Sequence, residues 1–196
     1  MNGPRLVMLD DVPPQPWRNG GGLTRELFTW PAAGPWQWRI SVADIERDGP
    51  FSAFDGVDRW FTVLQGAGVR LLLPAGAVDL HTGSAPLHFA GEAAPGCTLT
   101  DGATRDLNLM VQRAAGRGAM QRLQPGVGWT DAAPLRALFT AQPLMLRIDD
   151  QAAVAVPAWS LAVSTQAAHQ RWWADGAGAA PQAWWLAFDP NTGASS

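Results

Sequence analysis

The chain has 196 residues, 47% of them hydrophobic and 11 of them Trp, enough to bury a core and too apolar for a disordered chain. Its net charge is −3, and its 14 basic residues, all Arg, form no basic run, which argues against nucleic acid or an anionic membrane as the main partner. No apolar stretch approaches 18 residues, the N-terminus lacks the apolar core of a signal peptide, and Cys97 has no second cysteine to pair with, so a soluble, reducing, cytoplasmic setting is expected.

In chain order, period-two alternation dominates and helical periodicity is scarce. A strand is expected over residues 23–29, stopped by Trp30-Pro31 and the turn at Gly34-Pro35. The next, 36–44, is clearer: Trp36, Trp38, Ile40 and Val42 take one face, and Gln37, Arg39, Ser41 and Ala43 the other. Further strands are expected at 59–64, 69–73, 87–89, 97–100 and 106–112, separated by Gly- and Pro-rich turns. The texture changes around 116–125, which suggests a boundary near residue 120. Beyond it, 132–140 reads as a short helix, with Asp131 as its cap and Pro134 in its first turn. Strands then resume at 144–148, 153–156, 159–164 and 184–188, and the tail 191–196 is expected to fray. The expectation is an all-β protein, a sandwich or barrel of antiparallel sheet with one minor helix. Its halves are 1–120 and 121–196, the second a smaller echo of the first, with strands shared between them.

The familiar chemistries fare poorly. Gly20-Gly21-Gly22 invites a phosphate loop, but the chain has no Lys and a strand pattern follows the glycines, so they read as a turn or bulge. His81, His88 and His169 are isolated; the first two read as surface loop residues and His169 lies in an Ala- and Gln-rich polar stretch, which leaves no metal expected. Cys97 reads as a small buried hydrophobe, and Gly-x-Ser-x-Gly is absent. No catalytic residue and no cofactor are nominated.

What remains is a set of polar residues facing one way along strands. Asp106, Asn108 and Met110 share a face, and Arg59 shares one with Phe61 and Val63. An enclosed arginine needs an anion, either a protein carboxylate or a ligand held bidentately.

Three stretches together resemble the HutD/Ves family of bacterial proteins: PWRNGGGLTREL (16–27), WRISVADIERDGPFSAFDGVDRWFTVLQG (38–66) and FAGEAAPGCTLTDGATRDLNLMVQR (89–113). The resemblance implies a cupin-type double-stranded β-helix, with two cupin-like β-sandwich halves in one bicupin-like chain. It also implies an association with histidine utilisation in a regulatory or ligand-sensing role. Set against the metal-binding cupin motif G(x)5HxH(x)3–4E(x)6G, with its last glycine on Gly66, the Glu position falls on Arg59. The His positions fall on Ala53 and Asp55, or on Ser52 and Phe54, so no imidazole survives. A cation in that place would repel a divalent metal and attract a carboxylate. The run from Gly68 to Gly76 matches the second motif's G(x)5PxG by chance, because it leaves no room for a hairpin. Gly91-Glu92, leading to the strand of Asp106 and Asn108, is the better equivalent.

The leading reading is a metal-free binding protein for a small acidic metabolite, with formylglutamate and urocanate as candidates. Arg59 grips the carboxylate, Asn108 and Asp106 supply an amide and an acceptor, and Arg39 and Ser41 line the same cavity. Phe51 and Phe54 form an apolar wall, Asn19, Gly20 and Gly21 a tight rim, and Thr24 and Glu26 the strand beside it. The main rival to ligand binding makes Glu26 the internal ion-pair partner of Arg18, Arg39 or Arg59. A second reading is a metal-free isomerase or hydrolase with Asp106 or Glu26 as general base. A third is a protein-interaction module using Trp172, Trp173, Trp184 and Trp185. Homodimer formation stays open.

Overall fold

Alternating sequence punctuated by Gly and Pro produces strands along nearly the whole chain in the computed structural model, which describes residues 3–176 and 181–191. The tail beyond Asn191 lies outside the described residues. The chain forms two units, one of residues 12–115 and one of residues 1–11 and 116–196. The first eleven residues, expected in the N-terminal half, thus belong to the C-terminal unit. Strand β1 (Arg5–Met8) runs antiparallel along Ser160–Ser164, and the Leu9 N–H donates to the Trp159 carbonyl at 2.8 Å.

The N-terminal unit opens with a hairpin, β2 (Gln15–Pro16) and β3 (Gly22–Trp30). Eight strands follow: β4 (Trp38–Ile45), β5 (Gly49–Pro50), β6 (Val57–Gln65), β7 (Val69–Leu73), β8 (Gly76–Leu80), β9 (Leu87–Ala90), β10 (Gly96–Leu99) and β11 (Thr104–Gln112). They form a six-stranded sheet, β2-β3-β4-β11-β6-β9, and a four-stranded one, β5-β10-β7-β8. Ile45, Phe51, Phe61, Val63, Val69, Leu71, Leu80, Phe89 and Cys97 make the core of this unit. Because opposed residues in antiparallel strands share a face, register fixes which side chains meet.

The C-terminal unit repeats that topology strand for strand: β12 (Gly116–Arg122), β13 (Trp129–Thr130), β14 (Leu135–Thr140), β15 (Leu144–Ile148), β16 (Val154–Val156), β17 (Ser160–Ser164), β18 (Arg171–Asp175) and β19 (Ala183–Pro190). The sheets are β12-β19-β14-β17-β1 and β13-β18-β15-β16. Reading β4–β11 against β12–β19 in order reproduces both the β4-β11-β6-β9 run and the small sheet. The second half is therefore an echo in topology, which no residue-level repeat discloses.

Three expectations need correction. Residues 132–140 do not form a helix; 135–140 are β14, the middle strand of its sheet and buried at every position. A strand covered on both faces reads as a continuous apolar run, which periodicity cannot tell from a buried helix. Asp131 does cap something: its Oδ1 accepts from the Ala133 N–H at 2.8 Å, in a turn that leads into the strand. His88 sits on β9, not in a loop, with its ring stacked on Trp60 at 4.4 Å. Finally, Trp172, Trp184 and Trp185 are buried and Trp173 is half-buried, so they offer no tryptophan contact surface. Among the described residues no helix is long and apolar enough to cross a membrane, and no cluster of three or more His, Cys, Asp or Glu could hold a metal.

Candidate functional site

Period-two alternation on the large N-terminal sheet aims one row of polar side chains inward. Asn108 lies opposite Ser41 on β4 and Phe61 on β6, Met110 opposite Arg39 and Arg59, and Asp106 opposite Ala43 and Val63. On the far side Thr24 opposes Ala43 and Glu26 opposes Ser41. The other face of β4, carrying Trp38, Ile40 and Val42, is fully buried, so the strand has no freedom to turn over.

The inward row lines a cavity of about 380 Å³. Nine of the twelve residues expected at the site lie on its wall: Asn19, Thr24, Arg39, Ser41, Phe51, Phe54, Arg59, Asp106 and Asn108. Gly20, Gly21 and Glu26 do not. The glycines shape the hairpin behind the rim. Gly20 adopts φ +68°, and a Cβ on Gly22 would sit 2.2 Å from the Asp44 carbonyl, so β3 approaches β4 this closely only through glycine. Asn19 Oδ1 accepts from the Gly21 N–H at 3.0 Å and pins the loop. The triple glycine is therefore the bend of a rim and not a phosphate cradle.

Arg59 occupies the floor. It is 6% exposed, and its guanidinium lies 5.1, 5.7 and 5.2 Å from the ring centres of Phe51, Phe54 and Phe89. Its Nη2 donates to Asn108 Oδ1 at 2.9 Å, while Nε and Nη1 are buried without an acceptor. No carboxylate lies within ion-pair distance of it among the described residues. Burial lowers its pKa to about 10; nearby Asp106 opposes the shift and Arg39 adds to it. Arg59 stays a cation at neutral pH.

Asn108 passes the connection on, its Nδ2 donating to Asp106 Oδ1. Asp106 is buried, and its Oδ2 has no partner. Burial drives its pKa well above the usual carboxylate range; Arg59 pulls it down, Asp44 pushes it up, and the Asn108 hydrogen bond pulls it down. Asp44 is engaged elsewhere, with Arg25 at 3.0 Å and Arg105 at 2.6 Å. The floor is thus a line, Arg59–Asn108–Asp106, with two free donors at one end and one free carboxyl oxygen at the other.

Arg39 is committed differently. Its Nε donates to Glu26 Oε2 at 2.7 Å, which settles Glu26 as the internal partner of Arg39 and not of Arg59 or Arg18. Gln15, Pro16, Trp17, Arg18, Ala43, Pro50, Ser52 and Met110 complete the wall without having been nominated. Met110 and Ala43 were readable by alternation from Asn108 and Ser41. Trp17 was not, because it reaches the site through a turn: its Nε1 donates to Thr24 Oγ1 at 2.7 Å and its ring meets Phe51 edge-on at 6.3 Å. The glycine match from Gly68 to Gly76 falls on the β7–β8 hairpin, away from the cavity.

The HutD family pattern matches residues 9–181. The chain belongs to the HutD family. It is 39% identical over 129 residues to an uncharacterised 21.2 kDa protein of the hutC 3′ region in Pseudomonas putida, which covers 65% of this chain and 64% of that one. It is 40% identical over 105 residues to Protein Ves of Cronobacter sakazakii, covering 52% of this chain and 57% of that protein. The chain thus spans less than two thirds of the length of these curated relatives. Among solved structures, a conserved protein of unknown function from Pseudomonas aeruginosa PAO1 superposes with a TM-score of 0.83 at 28% identity, covering 95% of this chain and 98% of that one. HutD from Pseudomonas fluorescens SBW25, in a formate condition, gives 0.82 at 23% identity with the same coverage. The oxalate decarboxylase of Lactobacillus farciminis in its formate complex, at 0.61 and 12% identity over 97% of this chain and 87% of that one, extends the likeness to the cupin fold.

Proposed function

We propose that this HutD-family protein is a metal-independent cytoplasmic sensor or regulator of histidine utilisation that binds a small carboxylate metabolite in its N-terminal half. The observation that carries the reading is Arg59, a buried guanidinium on a cavity wall, with two nitrogens lacking any acceptor and, among the described residues, no carboxylate in ion-pair range. A bound carboxylate supplies the missing charge and acceptors. The cavity's volume falls in the lower part of the range for small-metabolite sites, roughly 300–1,000 Å³. The three phenylalanines around the guanidinium exclude water and so strengthen its pairing with an anion. Formylglutamate and urocanate fit as a carboxylate on Arg59 with a second polar group toward Asp106.

A second reading, a metal-free isomerase or hydrolase, draws on one observation: a buried Asp106 with raised proton affinity in the cavity, the property of a general acid or base. Glu26, the other nominee, is held by Arg39 off the cavity wall and supports it less.

The test is calorimetric titration of chelator-treated protein with formylglutamate, urocanate, glutamate and formate, in the parent and in Arg59→Ala. One acid should bind the parent and lose most of its affinity in a variant that keeps its melting curve. If none binds, or if Arg59→Ala binds equally well, the reading falls. Turnover at substoichiometric protein would convert it to the enzyme reading.

A further inference from the structure

The topological repeat places a second arginine where the first half has Arg59. Both lie on the third strand of their eight-strand repeat, Arg59 on β6 and Arg136 on β14. Both sit opposite the eighth strand, Arg59 facing Met110 and Arg136 facing Ala187. Alternation along β14 puts Arg136 on the face of Leu138, which belongs to the core of this half.

The surroundings then diverge. Two and four residues before the cross-strand partner, β11 carries Asn108 and Asp106, whereas β19 carries Trp185 and Ala183. The Arg136 guanidinium lies 5.2 Å from the ring centre of Trp129 and 5.4 Å from that of Trp172, and these two rings meet edge-on at 6.2 Å. Aromatic faces attract a cation but offer no acceptor to its in-plane N–H groups. All three nitrogens of Arg136 are buried and without a hydrogen-bond partner, and the residue has no exposed surface. Burial lowers its proton affinity, and the charges of Asp131 and Asp149 raise it. Neither reaches ion-pair distance among the described residues. Each spends an oxygen on the backbone, Asp131 on the Ala133 N–H and Asp149 on the Arg171 N–H at 2.7 Å. The neighbouring strands present Ser164 and Ala187, and Ser164 Oγ accepts from the Gln166 N–H. A buried guanidinium with five unmatched N–H groups is too costly to leave so.

We infer that the C-terminal half holds a small inorganic anion, of halide size, on the N–H edge of Arg136. Neither described cavity is lined by Arg136, so the smallest class, a monatomic anion, is the one assigned, and Arg136 is closed off where Arg59 is open.

Crystals grown in bromide, with data collected at the bromine edge, test this directly. An anomalous peak in contact with the Arg136 nitrogens is expected, and it should persist in Arg59→Ala. In solution, replacing gluconate with chloride at constant ionic strength should raise the melting temperature of the parent by about 2–4 °C. Arg136→Met should abolish that rise. If Arg136→Met does not fold, the bromide map and the chloride dependence of the parent still decide. A map showing water, or the carboxylate of Asp131 or Asp149, on the guanidinium overturns the inference. So does a bromide peak without any chloride dependence of melting, which would be binding at crystal concentration only.

Discussion

Strands β6 and β14 stand at the same place in two copies of one topology, and each carries an arginine inward, yet the interiors around them differ. In the N-terminal half the eighth strand answers with Asn108 and Asp106, and a cavity remains. In the C-terminal half it answers with Trp185, which stacks on Trp129 at 5.0 Å and fills the space. The eight-strand frame tolerates either interior because hydrogen bonding between strands is indifferent to side chains, while the inward residues decide whether the middle is a binding site or a core. One arginine is left accessible to a ligand, and the other is sealed among indoles.

The largest effect expected from this contrast is on stability. Trp172→Ala, at a fully buried position, should cost about 3–5 kcal/mol in urea unfolding, because indole contacts are lost and a cavity opens. Phe54→Ala, on a wall that already borders empty space, should cost well under half of that. Equal losses would mean that the two interiors are packed alike.

Next comes affinity. Arg59→Ala should weaken carboxylate binding by about 10- to 100-fold, the worth of one charge-assisted hydrogen-bonding group. Arg136→Met should leave it unchanged, as titration calorimetry on both variants would show. A comparable loss in Arg136→Met would break the assignment of the ligand to the N-terminal half.

Smaller again is a pH effect. Folding raises the proton affinity of Asp106, so its contribution to stability is full below the ordinary carboxylate range and declines as pH rises through its folded-state value. One such group imposes a slope of at most about 1.4 kcal/mol per pH unit. Asp106→Asn should flatten the fall in stability above about pH 4 and make the protein more stable at neutrality, measured by urea titrations across pH. A variant that is less stable at neutrality would show that the Asp106 charge is compensated in the fold.

The smallest effect is chemical. The Cys97 thiol is buried, and that burial, with Asp106 and Asp48 nearby, pushes its pKa up to about 12. It should resist iodoacetamide at pH 8 in the folded protein and react in denaturant, as mass spectrometry would show. Rapid labelling of the native chain would mean that the N-terminal interior opens readily.

Where one strand face meets core and the other meets the cavity, the alternation was plain in the sequence. Trp38, Ile40 and Val42 against Arg39, Ser41 and Ala43 sorted themselves by period two, and Asp106, Asn108 and Met110 did the same. Arg59 stood out because a cation on the same strand face as Phe61 and Val63 needs an explanation. Three things were hidden for different physical reasons. β14 lost its alternation because both its faces are covered. β12 shows no strand signal in the sequence, since Gly116 and Gly118 in an edge strand look like turn residues at the boundary between the halves. Trp17 joins the site through tertiary contacts with Thr24 and Phe51, which leave no periodic trace. The repeat itself was also invisible, because it survives in strand order and pairing, not in residue identity.

The pairing of β1 with β17 has a consequence for how the protein is made. Leu6 faces Ala162 across that ladder, so β1 leaves the ribosome more than 150 positions before the strand it pairs with. At roughly 5–20 residues per second that delay is on the order of 8–30 s. During it the segment 12–115 has all its own strands available and can close first. The β1 segment, with Leu6 and Met8 still partly exposed once paired, spends that interval as an unpaired strand edge. Synthesis on ribosomes, followed by pulse proteolysis of stalled chains, would see protection of residues 12–115 long before residues 5–9 are protected.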